Sequence, residues 1–185
     1  MKGALKGFDI PMDMYADDVS DIVGNCIQRY GHDEWRCAVL TNEIHGHLGI
    51  YSTLGAKMGV RAIELFKEKG VGEGEISVVS DAGSEPPVSC LNDGLQVSTG
   101  ASMGHGLFSI SSSRPARVSA QFTRGSISIA LSLKPEYADI LHADIAKGVE
   151  LYGHTPAYWN YVRRLAIKYW QEWDRSAIFQ QEQLC

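Results

Sequence analysis

Two histidines and one cysteine are the residues of this chain whose types and spacing are best suited to chemistry. His45 and His47 are separated by Gly46, and Cys90 lies in a second segment further along the chain. Imidazole and thiolate groups are the ligands that borderline transition metals such as zinc prefer. Each group is predicted where a loop meets a helix, so both can converge on one pocket. The sequence therefore predicts a metal centre formed by His45, His47 and Cys90.

The two histidines are predicted to open an apolar helix over residues 48–69. Gly46 has no side chain, which lets the backbone turn both imidazole rings toward a common point. The start of a helix also has free backbone N–H groups that can bind an anionic ligand or substrate. A His-x-His pair alone is a weak motif, so its significance depends on further ligands.

Cys90 is predicted in the first turn of a short helix over residues 90–99, with Ser89 as the N-cap. In that position the helix dipole favours the thiolate, so we expect the pKa of the thiol to lie below its usual value of about 8.5. Polar neighbours such as Glu85 and Asp93 argue against a merely buried, apolar cysteine. Cys90 is therefore a candidate both as a metal ligand and as a catalytic nucleophile.

Three further polar residues are candidates for the same site. Asp93 and Glu85 can each act as a general base or orient a histidine. His105 is flanked by two glycines within residues 100–106 and can project into the same pocket. That segment leads from a helix into a strand, whereas phosphate-binding loops lead from a strand into a helix, so it is not a Walker or Rossmann site.

The elements that must position these residues follow from hydrophobic periodicity. Apolar residues at three- and four-residue spacing predict helices over residues 13–30, 48–69, 136–150 and from 155 to about 179. Gly31 is suited to a left-handed cap that ends the first of these. Alternating patterns predict strands over residues 75–80, 107–111, 117–123 and 126–132, with a hairpin turn between the last two. Glycines within the second helix indicate that another backbone packs closely against it.

The composition is typical of one globular domain. The chain has 185 residues, of which 44% are hydrophobic and 21% charged, and its formal net charge is −5. It offers no basic patch for nucleic acid and no apolar stretch long enough to span a bilayer, and residues 1–6 do not begin a signal peptide. The four cysteines form no C-x-x-C pair, which argues against a disulfide framework or a zinc ribbon. We therefore expect a cytoplasmic protein.

Two blocks of the sequence resemble the FmdE family, which takes its name from a component of formylmethanofuran dehydrogenase. Residues 44–48 (IHGHL) and 55–59 (GAKMG) are similar to the family pattern F-H-G-H-L-C-P-G…G-x-x-M-G. Residues 90–106 (CLNDGLQVSTGASMGHG) resemble its second pattern, C-x-x-D-A-I-Q-x-x-T-G-C-T-x-G-K-G-N. The resemblance covers approximately residues 40–133.

The resemblance implies an α+β core, a tendency to form homodimers, and a metal site at the histidine and cysteine positions. It also implies an association with molybdenum- or tungsten-dependent formylmethanofuran dehydrogenase. Together with the predicted elements it suggests an N-terminal helical extension over residues 1–38 and an α+β core over 39–134, with an antiparallel or mixed sheet packed against helices. Residues 135–185 would form a C-terminal helical region, including one long helix, that packs on the core or on the dimer partner.

The chain departs from the family pattern at three positions. It has Gly49, Ala101 and His105 where the family has two cysteines and a lysine. A redox role that needs two neighbouring thiols is therefore not expected. The remaining trio of His45, His47 and Cys90 favours a single mononuclear site for zinc or a similar divalent transition metal.

These observations lead to one main hypothesis for the function and two alternatives. In the main hypothesis three protein ligands leave a coordination position for water or substrate, and the metal acts as a Lewis acid or lowers the pKa of bound water. Asp93 or Glu85 would then move the proton. In the first alternative the chain is a non-catalytic accessory or metal-delivery component of a molybdenum or tungsten enzyme. In the second, Cys90 is a metal-free nucleophile activated by a histidine.

Overall fold

The structure, a computed structural model, describes residues 10–112, 115–153 and 155–182. Residues 1–6, whose composition argued against a signal peptide, lie outside these ranges. The helices of the described residues are α1 (Asp17–Ser20), α2 (Val23–His45), α3 (Ile50–Glu68), α4 (Leu91–Thr99), α5 (Pro135–Tyr152), α6 (Pro156–Glu172) and α7 (Arg175–Ile178). The strands are β1 (Ser77–Ser80), β2 (Phe108–Ile110), β3 (Ser119–Arg124), β4 (Ile127–Leu133) and β5 (Phe179–Glu182). Short 3-10 turns lie at Met12–Met14, Val88–Cys90 and Met103–His105.

The five strands form one mixed sheet in the order β2-β1-β3-β4-β5. β1 and β2 are parallel, and the other neighbouring pairs are antiparallel. Val78, Phe122 and Ile129 lie in register and are buried, whereas Val79 and Gln121 are exposed. Because successive residues of a strand point to opposite faces, one face of the sheet packs on the core and the other faces solvent. The predicted α+β class is therefore confirmed.

Helices α3 and α4 pack closely because each presents a glycine to the other. A Cβ atom built at Gly55 would overlap the backbone oxygen of Leu91, and one built at Gly94 would overlap the backbone of α3. No side chain fits between the helices at this point, which confirms the close backbone contact expected from the sequence. The contact holds the N-terminal end of α4, with Cys90 and Asp93, against α3.

The helix predicted over residues 13–30 is wrong in its bounds. The chain first forms a 3-10 turn and α1, and α2 then runs through a kink at Gly31 to His45. Gly31 has the expected left-handed φ of 87°, but the helix resumes after it instead of ending. At the kink, Arg175 Nη1 donates a hydrogen bond to Tyr30 O at 2.9 Å. Packing explains why the helix resumes, because buried residues continue at helical spacing beyond the kink: Trp35, Ala38, Val39 and the polar Asn42.

The C-terminal segment also differs from the single helix predicted for it. α6 ends at Glu172, and Asp174 caps α7 by accepting a hydrogen bond from Ser176 N at 2.8 Å. β5 follows and pairs with β4 at the edge of the sheet. With 17 residues, α6 is shorter than α2, α3 and α5, which have 23, 19 and 18. The C-terminal helix is therefore not exceptional in length.

The tryptophans of this segment pack mainly against the chain's own core. Trp170 stacks on Trp35 with ring centroids 4.4 Å apart, and Trp173 stacks on Tyr169 at 3.9 Å. Trp159, in the first turn of α6, is instead 57% exposed.

The division of the chain into three regions stays a prediction. Helix α2 crosses the predicted boundary at residue 38, and β5, from the predicted C-terminal region, adds a strand to the sheet of the predicted core.

A buried group of charges ties α7 to α2 and α3. The Arg175 guanidinium donates to Glu34 Oε2 at 2.8 Å and also binds Glu64. Lys57 Nζ lies 2.5 Å from the other oxygen of Glu34, and both side chains are fully buried. The Lys57 ammonium also lies 4.0 Å from the centre of the Tyr30 ring. Burial lowers the pKa of Lys57, while the charge and hydrogen bond of Glu34 oppose that shift.

None of the described helices combines the length and apolar character needed to cross a membrane. Cys26, Cys37 and Cys90 are free thiols.

Candidate functional site

His45 and His47 lie on the turn that joins α2 to α3. His45 is the last residue of α2, Gly46 adopts the left-handed conformation of a helix C-cap with φ 83°, and α3 begins only at Ile50. The predicted helix does follow the pair, but His45 itself belongs to the end of the preceding helix, which the sequence did not predict. Because α2 resumes after its kink, the pair comes at a helix C-terminus, where carbonyl groups rather than N–H groups lack helical partners.

Asn42 determines the shape of this turn. Its buried side-chain oxygen accepts hydrogen bonds from Gly49 N at 3.0 Å and from Ser52 Oγ at 2.9 Å. Its amide nitrogen donates to Ala38 O at 2.8 Å and to Thr53 Oγ1 at 3.3 Å. One side chain therefore joins the end of α2 to the start of α3 and holds the backbone that carries the two imidazoles.

Asp93 orients the ring of His45. Its Oδ2 atom lies 2.7 Å from His45 Nδ1, and the histidine side chain is only 11% exposed. His45 ends α2 and Asp93 lies in the first turn of α4, positions where the helix dipoles favour a positive and a negative charge respectively. A carboxylate on one ring nitrogen is the usual way in which proteins present the other nitrogen to a metal.

The second ring nitrogen of His45 has no partner of its own. Nε2 is buried, and no atom of the described residues hydrogen-bonds to it. Leaving a buried polar atom unpaired costs about 1–3 kcal/mol. A ligand or a metal ion on Nε2 would recover that free energy, which makes this atom the centre of the candidate site.

A cavity of about 280 Å³ opens beside the two imidazoles. His45, His47 and Cys90 all line it, so the structure brings the predicted trio into one pocket. The ring centroids of the two histidines lie 4.4 Å apart, with their planes at 42°. Burial and the neighbouring His45 lower the pKa of His47, which favours the neutral ring that binds metals. The remaining walls are largely apolar and come from α3, Pro86–Pro87, α5 and α6.

Cys90 lies where the 3-10 turn Val88–Cys90 leads into α4. Burial, together with the charge of Asp93, raises the pKa of its half-buried thiol. The prediction of a lowered pKa is wrong because loss of solvation and a nearby carboxylate outweigh the helix dipole. Ser89 is not the N-cap of α4, since the 3-10 turn puts Cys90 at that position, and no side chain of the described residues caps the helix.

We expect Cys90 of the chelator-treated protein to react slowly with iodoacetamide at pH 7, because a raised pKa leaves little thiolate there. The rate should rise as the pH is increased toward the raised pKa of the thiol. Asp93→Asn removes a charge that raises this pKa, so the rate at pH 7 should be higher in that variant than in the wild type. Mass spectrometry of the Cys90 peptide measures the rate, with the urea-unfolded chain as reference. Modification faster than in the unfolded chain would instead favour the nucleophile alternative.

Glu85 and His105 lie away from the pocket. Glu85 is exposed on the loop before Pro86, and its side chain does not line the cavity. His105 is also exposed and lines a different cavity, of about 750 Å³, which Arg124 also lines. The segment with His105 leaves the C-terminal end of α4, whereas Cys90 lies at its N-terminal end, about 13 Å away along nine residues of helix. Asp93 is the carboxylate that the structure places at the site.

The donor set fits a divalent metal through its two imidazoles. One of them, His45, already has a carboxylate on Nδ1 and an unpaired Nε2. Within the ranges that the structure describes, however, no three His, Cys, Asp or Glu side chains are grouped closely enough to hold an ion. Cys90 shares the cavity without completing such a group.

Fold and site together define the class: an α+β protein with a mixed five-stranded sheet and a histidine pair beside a small apolar pocket. A family model described as "FmdE, Molybdenum formylmethanofuran dehydrogenase operon" matches residues 44–180. The chain therefore belongs to the FmdE family. The match extends beyond the two blocks to the helices α5 and α6 that wall the pocket. A comparison with curated proteins finds no match.

Two parts of the site were not predicted from the sequence. Asn42 was missed because residues 32–45 were not assigned to a helix, although Trp35, Ala38, Val39 and Asn42 follow i, i+3, i+4, i+7 spacing. The walls from α5 and α6 were not predicted because the sequence of a helix does not show which other element its apolar residues will contact.

Proposed function

We propose that this FmdE-family protein binds zinc or a similar divalent transition metal at His45 and His47. The observation that carries the proposal is the hydrogen bonding of the His45 ring. Asp93 lies 2.7 Å from its Nδ1 atom, and Nε2 is buried without a partner among the described residues, beside a second imidazole. A metal ion would use the lone pair of Nε2 and remove the cost of leaving it unpaired.

Each residue of the site would have a distinct role. His45 and His47 would hold the ion, and Cys90, which lines the same cavity, is the candidate for a third ligand. A metal of this class supplies Lewis acidity or lowers the pKa of bound water. Asp93 is already bonded to His45, so it would act through that ring as a positioning residue. Glu85 lies outside the cavity and has no part in this arrangement.

Metal content, measured by plasma mass spectrometry on untagged protein, tests the proposal. We expect about one ion per chain in the wild type and loss of the ion in His45→Ala and His47→Ala. Asp93→Asn should weaken affinity about 10- to 100-fold, the usual effect of removing the partner of a metal-binding histidine. His105→Ala and Glu85→Gln are matched controls outside the pocket and should keep the metal. Circular dichroism confirms that each variant is folded.

The proposal fails if the wild type holds no metal even after reconstitution, or if the two controls lose it as readily as His45→Ala. Cys90→Ser decides the role of the thiol. Loss of the ion in that variant supports a third ligand, and full retention limits the site to the two imidazoles.

A second candidate function is that of an accessory component of a molybdenum or tungsten formylmethanofuran dehydrogenase. The family description, which names that operon, favours this function. Helix α6 offers little tryptophan surface to a partner, since Trp170 is buried in the chain's own core and Trp159 is the exposed one. Co-purification with the dehydrogenase tests this role. The homodimer and the cytoplasmic location stay predictions, to be tested by sedimentation and by cell fractionation.

A further inference from the structure

We infer that the pocket beside His45 and His47 binds a small molecule with an aromatic or branched apolar body and one uncharged head that both donates and accepts hydrogen bonds, such as a hydroxyl group. This inference rests on the proposed function of the histidine pair, because the head group would bind at the same imidazoles. It adds the class of ligand that the site selects.

The lining of the pocket indicates the apolar body. Among the described residues, no Asp, Glu, Lys or Arg side chain lines the cavity, so a charged ligand body would find no counter-charge there. Burying an unpaired charge is strongly unfavourable, whereas apolar area gains free energy on leaving water. Apolar and aromatic side chains form most of the wall, and they come from α3, α5 and α6: Ile50, Tyr51, Ile145, Tyr158, Trp159 and Val162.

The volume of the pocket limits the size of the body. The cavity measures about 280 Å³, just below the usual range of about 300–1,000 Å³ for ligand pockets. A cavity of about 150 Å³ in another protein is sufficient for benzene. The pocket therefore accommodates one substituted ring or a short branched chain, and it is too small to enclose a nucleotide cofactor.

The polar atoms of the pocket indicate the head group. In the tautomer that donates Nδ1–H to Asp93, the buried Nε2 atom of His45 presents a lone pair, which calls for a hydrogen-bond donor. A metal ion on the same imidazoles would call instead for a lone pair. A hydroxyl group offers both, so it suits the site in either condition, while a carboxylate offers no donor to the metal-free ring.

Trp159 provides a direct reporter of binding. It lines the pocket, is 57% exposed, and makes an edge contact with His47 at 6.1 Å between ring centroids. The other three tryptophans, Trp35, Trp170 and Trp173, are 1–6% exposed. Acrylamide therefore quenches mainly Trp159 fluorescence, and a ligand that enters the pocket should protect it.

The experiment compares four probes by acrylamide quenching, in both chelator-treated and zinc-reconstituted protein. Benzyl alcohol has the body and the head, toluene has only the body, benzoate has a charged head, and glycerol has no apolar body. We expect benzyl alcohol to protect Trp159 with a Kd on the order of 1 mM, as suits a ligand of this size. In chelator-treated protein, toluene and benzoate should bind about tenfold more weakly, and glycerol should give no protection.

Val162→Phe, the filled-cavity variant, places an aromatic ring where the ligand body would lie and should weaken protection by benzyl alcohol. Ile140→Phe is the matched control, because Ile140 lies on the exposed side of α5 and does not line the pocket. Circular dichroism and the melting temperature establish that both variants are folded. If Val162→Phe does not fold, Ile145→Phe serves the same purpose from the neighbouring helix.

The inference is overturned if benzyl alcohol gives no protection in either form of the protein, or if the filled-cavity variant is protected as well as the control. It is also overturned if toluene or benzoate binds chelator-treated protein as tightly as benzyl alcohol does. Mass spectrometry detects failure of metal binding as absence of the ion. Benzyl alcohol would in that case still protect Trp159 in the chelator-treated protein. Failure of metal binding and failure of ligand binding can therefore be told apart.

Discussion

Replacing Glu34 by alanine should lower the free energy of unfolding by about 3–5 kcal/mol, the usual cost of removing one partner of a buried ion pair. Glu34 is fully buried, with one oxygen 2.5 Å from Lys57 Nζ and the other 2.8 Å from Arg175 Nη1. The substitution would leave the Lys57 ammonium buried without a counter-charge. Urea unfolding followed by circular dichroism measures the loss.

Two comparisons separate this effect from a simple loss of packing. Glu64→Ala removes the other, partly exposed partner of Arg175 and should cost less than about 1 kcal/mol. The double variant Glu34→Leu with Lys57→Met removes both fully buried charges and leaves Arg175 paired with Glu64, so it should cost less than Glu34→Ala. If Glu34→Ala costs no more than Glu64→Ala, an uncompensated Lys57 charge is not what destabilises the variant.

The pH dependence of the stability of Glu34→Ala should also show that the uncompensated Lys57 charge causes the loss. A lysine whose pKa is lowered in the folded protein binds fewer protons there than in the unfolded chain, so stability rises with pH above the folded pKa. Burial already lowers the pKa of Lys57, and Glu34 opposes that shift. The deficit of the variant should therefore shrink as the pH approaches the ordinary lysine value of about 10.4.

Gly94→Ala should destabilise the protein by about 3 kcal/mol, at the upper end of the usual cost of overpacking. The new Cβ atom would overlap backbone atoms of Ser52 and Ala56 on α3, and backbone atoms cannot rotate away as a side chain can. For a chain of this size the melting temperature should fall by roughly 10 °C. Differential scanning calorimetry measures the change.

The same substitution should also affect the site, because separating α3 from α4 moves Asp93 away from His45. Metal affinity should therefore fall in Gly94→Ala even at temperatures where the variant is folded. Gly104→Ala is the matched control, since the atom nearest to its new Cβ would be Ser102 Oγ at 3.8 Å, an ordinary contact. Equal melting temperatures for the two variants would show that α3 and α4 tolerate a wider spacing.

Much of the fold could be predicted because its elements have local signals. Strict alternation located β2, β3 and β4, and three- and four-residue spacing located α3 and α5 to within a few residues. The end of α2 was misplaced because a left-handed glycine usually ends a helix, and the packing that restores this one comes from residues far along the chain. The α6–α7–β5 segment was read as one helix because its apolar residues continue at compatible spacing beyond Glu172.

The candidate site was predictable in its residue types and only partly in its arrangement. His45, His47 and Cys90 share a cavity, as the family blocks suggested. The bond between His45 and Asp93 spans 48 positions, and nothing in the local sequence distinguishes Asp93 from Glu85 as its partner. The pKa of Cys90 was misjudged because burial, unlike a helix start, cannot be seen in the sequence.

The position of Arg175 has a consequence for synthesis of the protein. Its partners Glu64 and Glu34 precede it by 111 and 141 positions, and β5, which follows it, supplies an edge strand of the sheet. At translation rates of about 5–20 residues per second, α2 and α3 leave the ribosome several seconds before Arg175 is made. During that time the Lys57–Glu34 pair lacks its third member, and β4, once it is made, lacks the strand that pairs with its edge. The nascent chain therefore passes through a stage with an open strand edge, which can pair with another chain.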